Sequence, residues 1–175
     1  MVGLTVFCDF ECPACRNFAR SLRHLRLDHP EISVVFRHFP LSSACNSAAQ
    51  TDFHPHSCHA ARAAEAARRQ NRFWEFHDAA FATSEKLEDA TLQALAKVVG
   101  LDLDRFNTER RDAESNFRVN ADVQLGGQLK IDGTPTVFVN GRLVETKWLP
   151  YLREIVEHEL GNAISAKKHV PRPSE

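Results

Sequence analysis

The chain has 175 residues, 43% of them hydrophobic and 26% charged, enough to bury one core and short for two. This composition excludes a disordered or low-complexity chain. A formal net charge of −1 gives no global pull toward nucleic acid or an anionic membrane, and no apolar run approaches the roughly 20 residues that span a bilayer.

The first residues, Val2-Gly3-Leu4-Thr5-Val6-Phe7, read as a strand directly after Met1. No basic stretch, apolar core or small-residue cleavage site precedes it, so no signal peptide is expected. The chain is then cytosolic, or a mature form, or an excised domain. Leu4, Val6, Cys8 and Phe10 alternate with Thr5, Phe7, Asp9 and Glu11, as a buried strand would. A helix follows from Pro13, with Cys15, Phe18, Ala19, Leu22 and Leu25 at helical spacing. Arg16, Arg20, Arg23 and Arg26 form a separate stripe, read as a solvated face or as a guide for an acidic partner.

His29-Pro30 ends that helix, and Ile32 to Phe39 is a second strand rich in branched and aromatic residues. Residues 40–55 are polar and irregular. Helical segments follow at about 57–70, 73–81, 89–99, 103–110 and 113–130, with Gly100 closing the third. Thr136 to Val139 is a third strand. Asn140-Gly141 is a two-residue hairpin signal, and Arg142 to Val144 returns as a fourth strand. Trp148 to Leu160 is the last helix, before a polar tail from Gly161 that is expected to fray. One mixed sheet with helices on its faces would bury these patterns, an α/β architecture.

The chemistry is sought first at Cys12-Pro13-Ala14-Cys15. At a strand-to-helix junction Cys12 falls on the N-cap, where free N–H groups and the helix dipole favour a thiolate. Both effects are expected to lower its pKa. Pro13 suits the first helical position, and Cys15 lies one turn in. Such a pair can exchange disulfides, Cys12 attacking and Cys15 resolving. A passive disulfide or half of a zinc site are the plainer readings, although no second CxxC supplies the other zinc ligands. Gly133-Thr134-Pro135-Thr136 adds a proline at the start of a strand. Either it is an ordinary strand-start proline, or a cis Thr134–Pro135 bond sets the Thr134 backbone beside the cysteines to meet an extended peptide.

Together, Phe7-Cys8-Asp9-Phe10-Glu11-Cys12-Pro13-Ala14-Cys15 and the later Gly133-Thr134-Pro135-Thr136-Val137-Phe138-Val139-Asn140-Gly141 resemble the DsbA-like branch of the thioredoxin superfamily. Phe36-Arg37-His38-Phe39-Pro40-Leu41 and Phe73-Trp74-Glu75-Phe76-His77-Asp78 are similar to it as well, so the likeness spans roughly residues 4–160. The resemblance implies a thioredoxin fold with an inserted helical subdomain, about 57–131, in one domain of residues 1–162 followed by a tail, 163–175. It implies Cys12 as attacking thiol, Cys15 as its partner, and Pro13, Ala14, Thr134 and the cis-proline Pro135 at the substrate. The redox-active disulfide Cys12–Cys15 would need no cofactor or metal. Implied partners are protein thiols or disulfides and, for a dedicated module, a membrane redox partner such as a vitamin K epoxide reductase homologue. Such a protein would be a monomer, without nucleic acid, in the bacterial periplasm or cell envelope. Ala14 stands where the best-known strong oxidant of the family has histidine, and an earlier edge strand is missing. A non-catalytic thioredoxin-like binding domain is the reading from a different class.

The five cysteines are an odd number, so at least one is free if the others pair, and their number tilts toward an oxidising compartment. Cys45 and Cys58 are expected to form a structural disulfide, with a redox relay, free thiols, or a zinc site with His54, His56 and His59 as alternatives. Cys8 reads as a buried, inert side chain. Asp9 and Glu11 read as an exposed strand face, or as groups tuning proton transfer at Cys15.

Overall fold

A computed structural model describes residues 1–49 and 52–168, and side chains as far as residue 163. Strand β1 (Gly3–Cys8) pairs in parallel with β2 (Ser33–His38), with Val6 opposite Phe36. On its other edge β1 pairs antiparallel with β3 (Thr136–Val139), with Val6 opposite Val137. Strand β4 (Arg142–Val144) completes the sheet, in the order β2-β1-β3-β4. The β3–β4 turn holds Asn140 at φ 50° and Gly141 at φ 77°, the left-handed pair that a two-residue hairpin requires. Asn140 also clamps the far strand: its N–H donates to Gly3 O at 2.8 Å, and its side chain accepts from Gly3 N at 3.0 Å.

Helix α1 (Pro13–Asp28) connects β1 to β2. Between β2 and β3 lies a block of five helices: α2 (Ser57–Arg69), α3 (Phe73–Ala82), α4 (Asp89–Val98), α5 (Leu103–Glu109) and α6 (Ala113–Gln128). Helix α2 is its centre. Ala60, Ala61, Ala63, Ala64, Ala66 and Ala67 are all buried, and α3, α5 and α6 pack around it. A helix apolar on nearly every side belongs inside, and its small residues let the neighbours approach. The charged residue in this interior, Glu65, is compensated by His38 Nε2 at 3.0 Å and Arg68 Nε at 2.7 Å. Arg110, which caps the C-terminus of α5, is likewise buried and reaches both Asp89 oxygens at 2.8 Å. That pairing holds the Asp89 carboxyl far below the usual carboxylate range.

Phe7 is fully buried, as the reading of a buried strand expects. As an inner strand, β1 is covered on both sides, and the Phe7 ring meets Phe39 and Phe138 edge-on, each with centroids 6.3 Å away. Two expectations need correction. The last helix, α7 (Leu152–Lys168), runs on past Gly161, and its approach from Thr146 to Tyr151 is a 3-10 turn containing Pro150. A proline has no N–H for an α-helical ladder, which moves the α-helical start beyond it. The remaining residues of the expected tail, 169–175, lie outside the described residues. Finally, Arg26 leaves the basic stripe: its guanidinium lies 3.5 Å over the Trp74 ring and 3.9 Å from Asp78.

The adjacent Gly126 and Gly127 of α6 give a paired test of packing. A Cβ on Gly126 would stand 2.5 Å from the Phe39 ring, whereas one on Gly127 meets nothing within 4 Å. Overpacking costs about 1–3 kcal/mol and outweighs the roughly 1 kcal/mol gained in helix propensity. Urea denaturation should show Gly126→Ala destabilised by about 1 kcal/mol and Gly127→Ala stabilised by up to about 1 kcal/mol. Equal shifts of the same sign would contradict this packing.

Candidate active site

Strand β1 stops at Cys8, and the chain turns through Asp9, Phe10 and Glu11 before α1 begins. The turn is anchored in the core by Phe10, whose ring stacks on Phe81 with centroids 4.9 Å apart and lies 5.5 Å from Phe36. The aromatic segments around Phe36 and Phe73, read separately in the sequence, thus pack about one anchor. Cys12 is the N-cap of α1, in extended conformation (φ −71°, ψ 121°), with Pro13 in the first helical turn. Its carbonyl accepts the first helical bond, from Arg16 N at 3.0 Å.

Cys12 is 7% exposed and Cys15, one turn in, is 0% exposed. One sulfur therefore borders the surface and the other is screened by it. Pro13 and Ala14 between them are exposed. The segment before β3 arrives on the other side. The Thr134–Pro135 bond is cis, and the Cys12 thiol donates to Thr134 O at 3.4 Å, across 122 residues of sequence. The six residues Cys12, Pro13, Ala14, Cys15, Thr134 and Pro135 thus come from two segments meeting at one point of the surface.

The electrostatics depart from the sequence expectation. Cys12 makes no capping hydrogen bond with the first turn. Its pKa is raised, not lowered: the Cys15 side chain is the largest cause and burial the second. Thr134 and the Cys15 amide act in the opposite sense, with less effect. Burial pushes the Cys15 thiol up as well, and Cys8 adds to this. In this dithiol arrangement burial favours the protonated form of both sulfurs. Cys8 is itself a buried free thiol.

Asp9 is 1% exposed rather than on an open strand face, because β1 has already ended. Its carboxylate accepts from Glu11 N at 2.8 Å and Leu41 N at 2.7 Å, and it meets His54 Nδ1 at 2.7 Å. Glu11 accepts from His56 N at 2.7 Å. The two acids therefore tie the loop after β2 to the cysteine turn. Cys45 and Cys58 are bonded, with Cα atoms 6.0 Å apart, which fixes that loop to the start of α2 and leaves no free thiol there. The alternative of a zinc site finds no support: His54 faces Asp9, His56 lies 4.0 Å from Glu88, and His59 lies 3.8 Å from Asp89. Among the described residues no three His, Cys, Asp or Glu side chains gather as a metal site would require.

Nothing in the sequence signals that His54 lies at the turn before Cys12, since it pairs with Asp9 across 45 residues. Its pKa is raised, chiefly by the Asp9 hydrogen bond, against the opposing effect of burial. A group with a raised folded-state pKa adds stability below its unfolded value, about 6.5. That contribution is lost as pH rises through the folded value. The stability gap between wild type and His54→Gln should thus be wider at pH 5.5 than at pH 9, by urea denaturation at each pH. A gap that stays constant or widens with pH would show that the pair does not work this way.

Comparison with known proteins agrees with this architecture. Residues 3–154 match the model of the DSBA-like thioredoxin domain. The chain is 40% identical over 141 residues to a protein of Salinispora tropica named Na(+)/H(+) antiporter NhaA 3, covering 81% of this chain and 20% of that protein. A like-named protein of Mycolicibacterium gilvum is 33% identical over 148 residues, covering 83% of this chain and 22% of that one. The chain thus spans about a fifth of the length of these curated relatives. Among solved structures, a thioredoxin-like oxidoreductase from Silicibacter pomeroyi DSS-3 superposes with a TM-score of 0.70 at 25% identity, covering 97% of this chain and 88% of that one. The thiol-disulfide exchange protein alpha-DsbA2 from Wolbachia pipientis shares the fold, with a TM-score of 0.73 at 23% identity over 90% of this chain and 81% of that one. The chain belongs to the DsbA-like thioredoxin family, whose members are thiol–disulfide oxidoreductases.

Proposed function

We propose that Cys12 and Cys15 are the redox-active pair of this chain and exchange disulfides with protein substrates. The observation that carries the reading is the Cys12 sulfur at the N-cap of α1, 3.4 Å from the Thr134 carbonyl, with Cys15 buried one turn behind it. In the reducing direction Cys12, as thiolate, attacks a substrate disulfide. That S–S bond breaks, one substrate sulfur leaves as a thiolate that takes up a proton, and a Cys12–substrate disulfide forms. Cys15 then loses its proton and attacks the Cys12 sulfur. The second substrate thiol is released and the Cys12–Cys15 disulfide remains, two electrons having passed to the substrate. The reverse sequence oxidises a substrate dithiol. The Cys12–Cys15 dithiol carries the two electrons and its disulfide accepts them, so the reading invokes no cofactor or metal. The exposed edge of Pro13 and Ala14 and the backbone of Thr134 beside Pro135 would border a bound extended peptide.

The sequence between the cysteines supports a direction. A strong oxidant has a stabilised reduced form; here Ala14 offers no imidazole to a Cys12 thiolate, and at Cys12 the Cys15 side chain and burial, which favour the thiol, outweigh Thr134 and the Cys15 amide, which favour the thiolate. We infer a pair that favours its disulfide, nearer a reductase or relay than a strong oxidase. The Cys45–Cys58 disulfide supports work outside the cytoplasm, where such bonds persist. The antiporter relatives favour a second reading in which this is a redox module serving a membrane transport protein, in place of a vitamin K epoxide reductase homologue.

The test is a balance of electrons. The reduced protein, mixed with hydroxyethyl disulfide, should consume one equivalent and yield a Cys12–Cys15 disulfide by peptide mass mapping. A thioredoxin-like binding domain with inert cysteines would keep both thiols.

A further inference from the structure

Three of the four arginines of the basic stripe line an open groove. Arg16, Arg20 and Arg23 of α1 face Asp78 and Phe81 of α3 across a space of about 660 Å³, with Ala19 in the floor. The groove is aligned with the reactive sulfur. Cys12, Arg16, Arg20 and Arg23 follow one another at steps of four, four and three residues, which places them on one ridge of a helix. At 1.5 Å per residue Arg23 stands about 16 Å beyond Cys12 along the axis. An extended peptide covers that distance in about five residues.

The charge of this groove is not balanced from within. Arg23 is paired with Asp78 at 3.2 Å. Arg20 bonds only the neutral Asn17, at 3.1 Å, and neither Arg16 nor Arg20 has a carboxylate within ion-pair distance among the described residues. The lining carbon atoms of Phe81, Ala19, Ala79 and Ala82 leave room for small apolar side chains between the charges. Two unpaired cations over an apolar floor suit a short acidic peptide. They are too few to hold a nucleic-acid backbone, whose binding grows with the number of phosphates neutralised.

We propose that this groove binds an acidic segment of the polypeptide whose sulfur is joined to Cys12, two to five residues along the chain from that sulfur. The proposal rests on the oxidoreductase reading and adds its substrate class: polypeptides with acidic residues flanking the reacting cysteine.

The experiment uses symmetric disulfide dimers of a short single-cysteine peptide. One peptide carries Glu on the N-terminal side of the cysteine, a second carries it on the C-terminal side, and each has a Gln counterpart. Rates of exchange with the reduced protein are each divided by the rate with hydroxyethyl disulfide. For wild type at least one Glu peptide should react about three- to tenfold faster than its Gln counterpart, the effect of one or two exposed charge pairs. The advantage should vanish in 1 M NaCl and in Arg16→Glu/Arg20→Glu. No advantage for either Glu peptide, or one that survives both salt and charge reversal, overturns the proposal while hydroxyethyl disulfide still reacts. No reaction with hydroxyethyl disulfide would overturn the oxidoreductase reading itself, and this proposal with it.

Discussion

Cys12→Ser should lose disulfide exchange by a factor on the order of 10³ or more, the scale on which removing an enzyme nucleophile acts. Cys15→Ser should instead accumulate a mixed disulfide with substrate. The asymmetry follows from burial. The Cys12 sulfur borders the surface beside the exposed Pro13 and Ala14, while Cys15 has no exposed area at all. An incoming disulfide can reach only the first. Once it is joined there, release requires a second sulfur within the protein, and Cys15 lies one helical turn away. Serine at 15 removes that route, so the adduct persists and is counted by intact mass under non-reducing conditions. Exchange by Cys12→Ser at the wild-type rate, or an adduct that forms on Cys15 in that variant, would reverse the assignment.

Removal of the second disulfide is the largest expected effect on stability. The Cys45–Cys58 bond closes a loop with a sequence separation of 13, and in the chain-entropy model such a cross-link contributes about 3 kcal/mol. Cys45→Ala/Cys58→Ala should therefore lower the unfolding free energy by about that amount in urea, measured without reductant and with Cys12 and Cys15 oxidised in both proteins. The same variant separates structure from relay. A structural bond predicts that the folded variant still exchanges disulfides with hydroxyethyl disulfide and with a peptide at the wild-type rates. A change below about 0.5 kcal/mol, with slowed exchange, would mean that these sulfurs serve the chemistry and not the fold.

Much of the architecture was readable because local signals and tertiary demands agree. Asn140-Gly141 announces its hairpin since both residues adopt positive φ. Pro13 announces the start of α1 since a missing N–H costs nothing there. The readings failed where tertiary context decides. Alternation through Phe10 and Glu11 suggested an exposed strand face at Asp9 and Glu11, but β1 ends at Cys8 and the sheet is covered on both sides. Asp9 therefore turns inward to serve two backbone amides and His54, a partner 45 residues away that no local pattern announces. The Arg stripe was visible as a stripe, yet only the position of Trp74 and Asp78 shows that Arg26 is withdrawn from it.

The thiol electrostatics failed for a similar reason. A cysteine at an N-cap is expected to be acidic, provided that its sulfur accepts hydrogen bonds from the helix. Here the Cys15 amide favours the Cys12 thiolate only weakly, and the Cys12 thiol donates to the Thr134 carbonyl. Burial and the neighbouring Cys15 then favour the neutral form. The identity of the residues at a junction predicts which group reacts. The direction of its pKa depends on which way the sulfur points, which only the fold determines.

The proposed exchange requires Cys12 and Cys15 to form a reversible redox pair, and the proposed direction requires that pair to favour its disulfide. Its reduction potential, by equilibration in glutathione buffers and mass analysis of the alkylated protein, tests both. A single two-electron transition is expected between about −200 and −270 mV, the range of glutaredoxins and thioredoxin. A potential near −120 mV would contradict the assigned direction, and a pair showing no reversible transition would contradict the redox assignment itself.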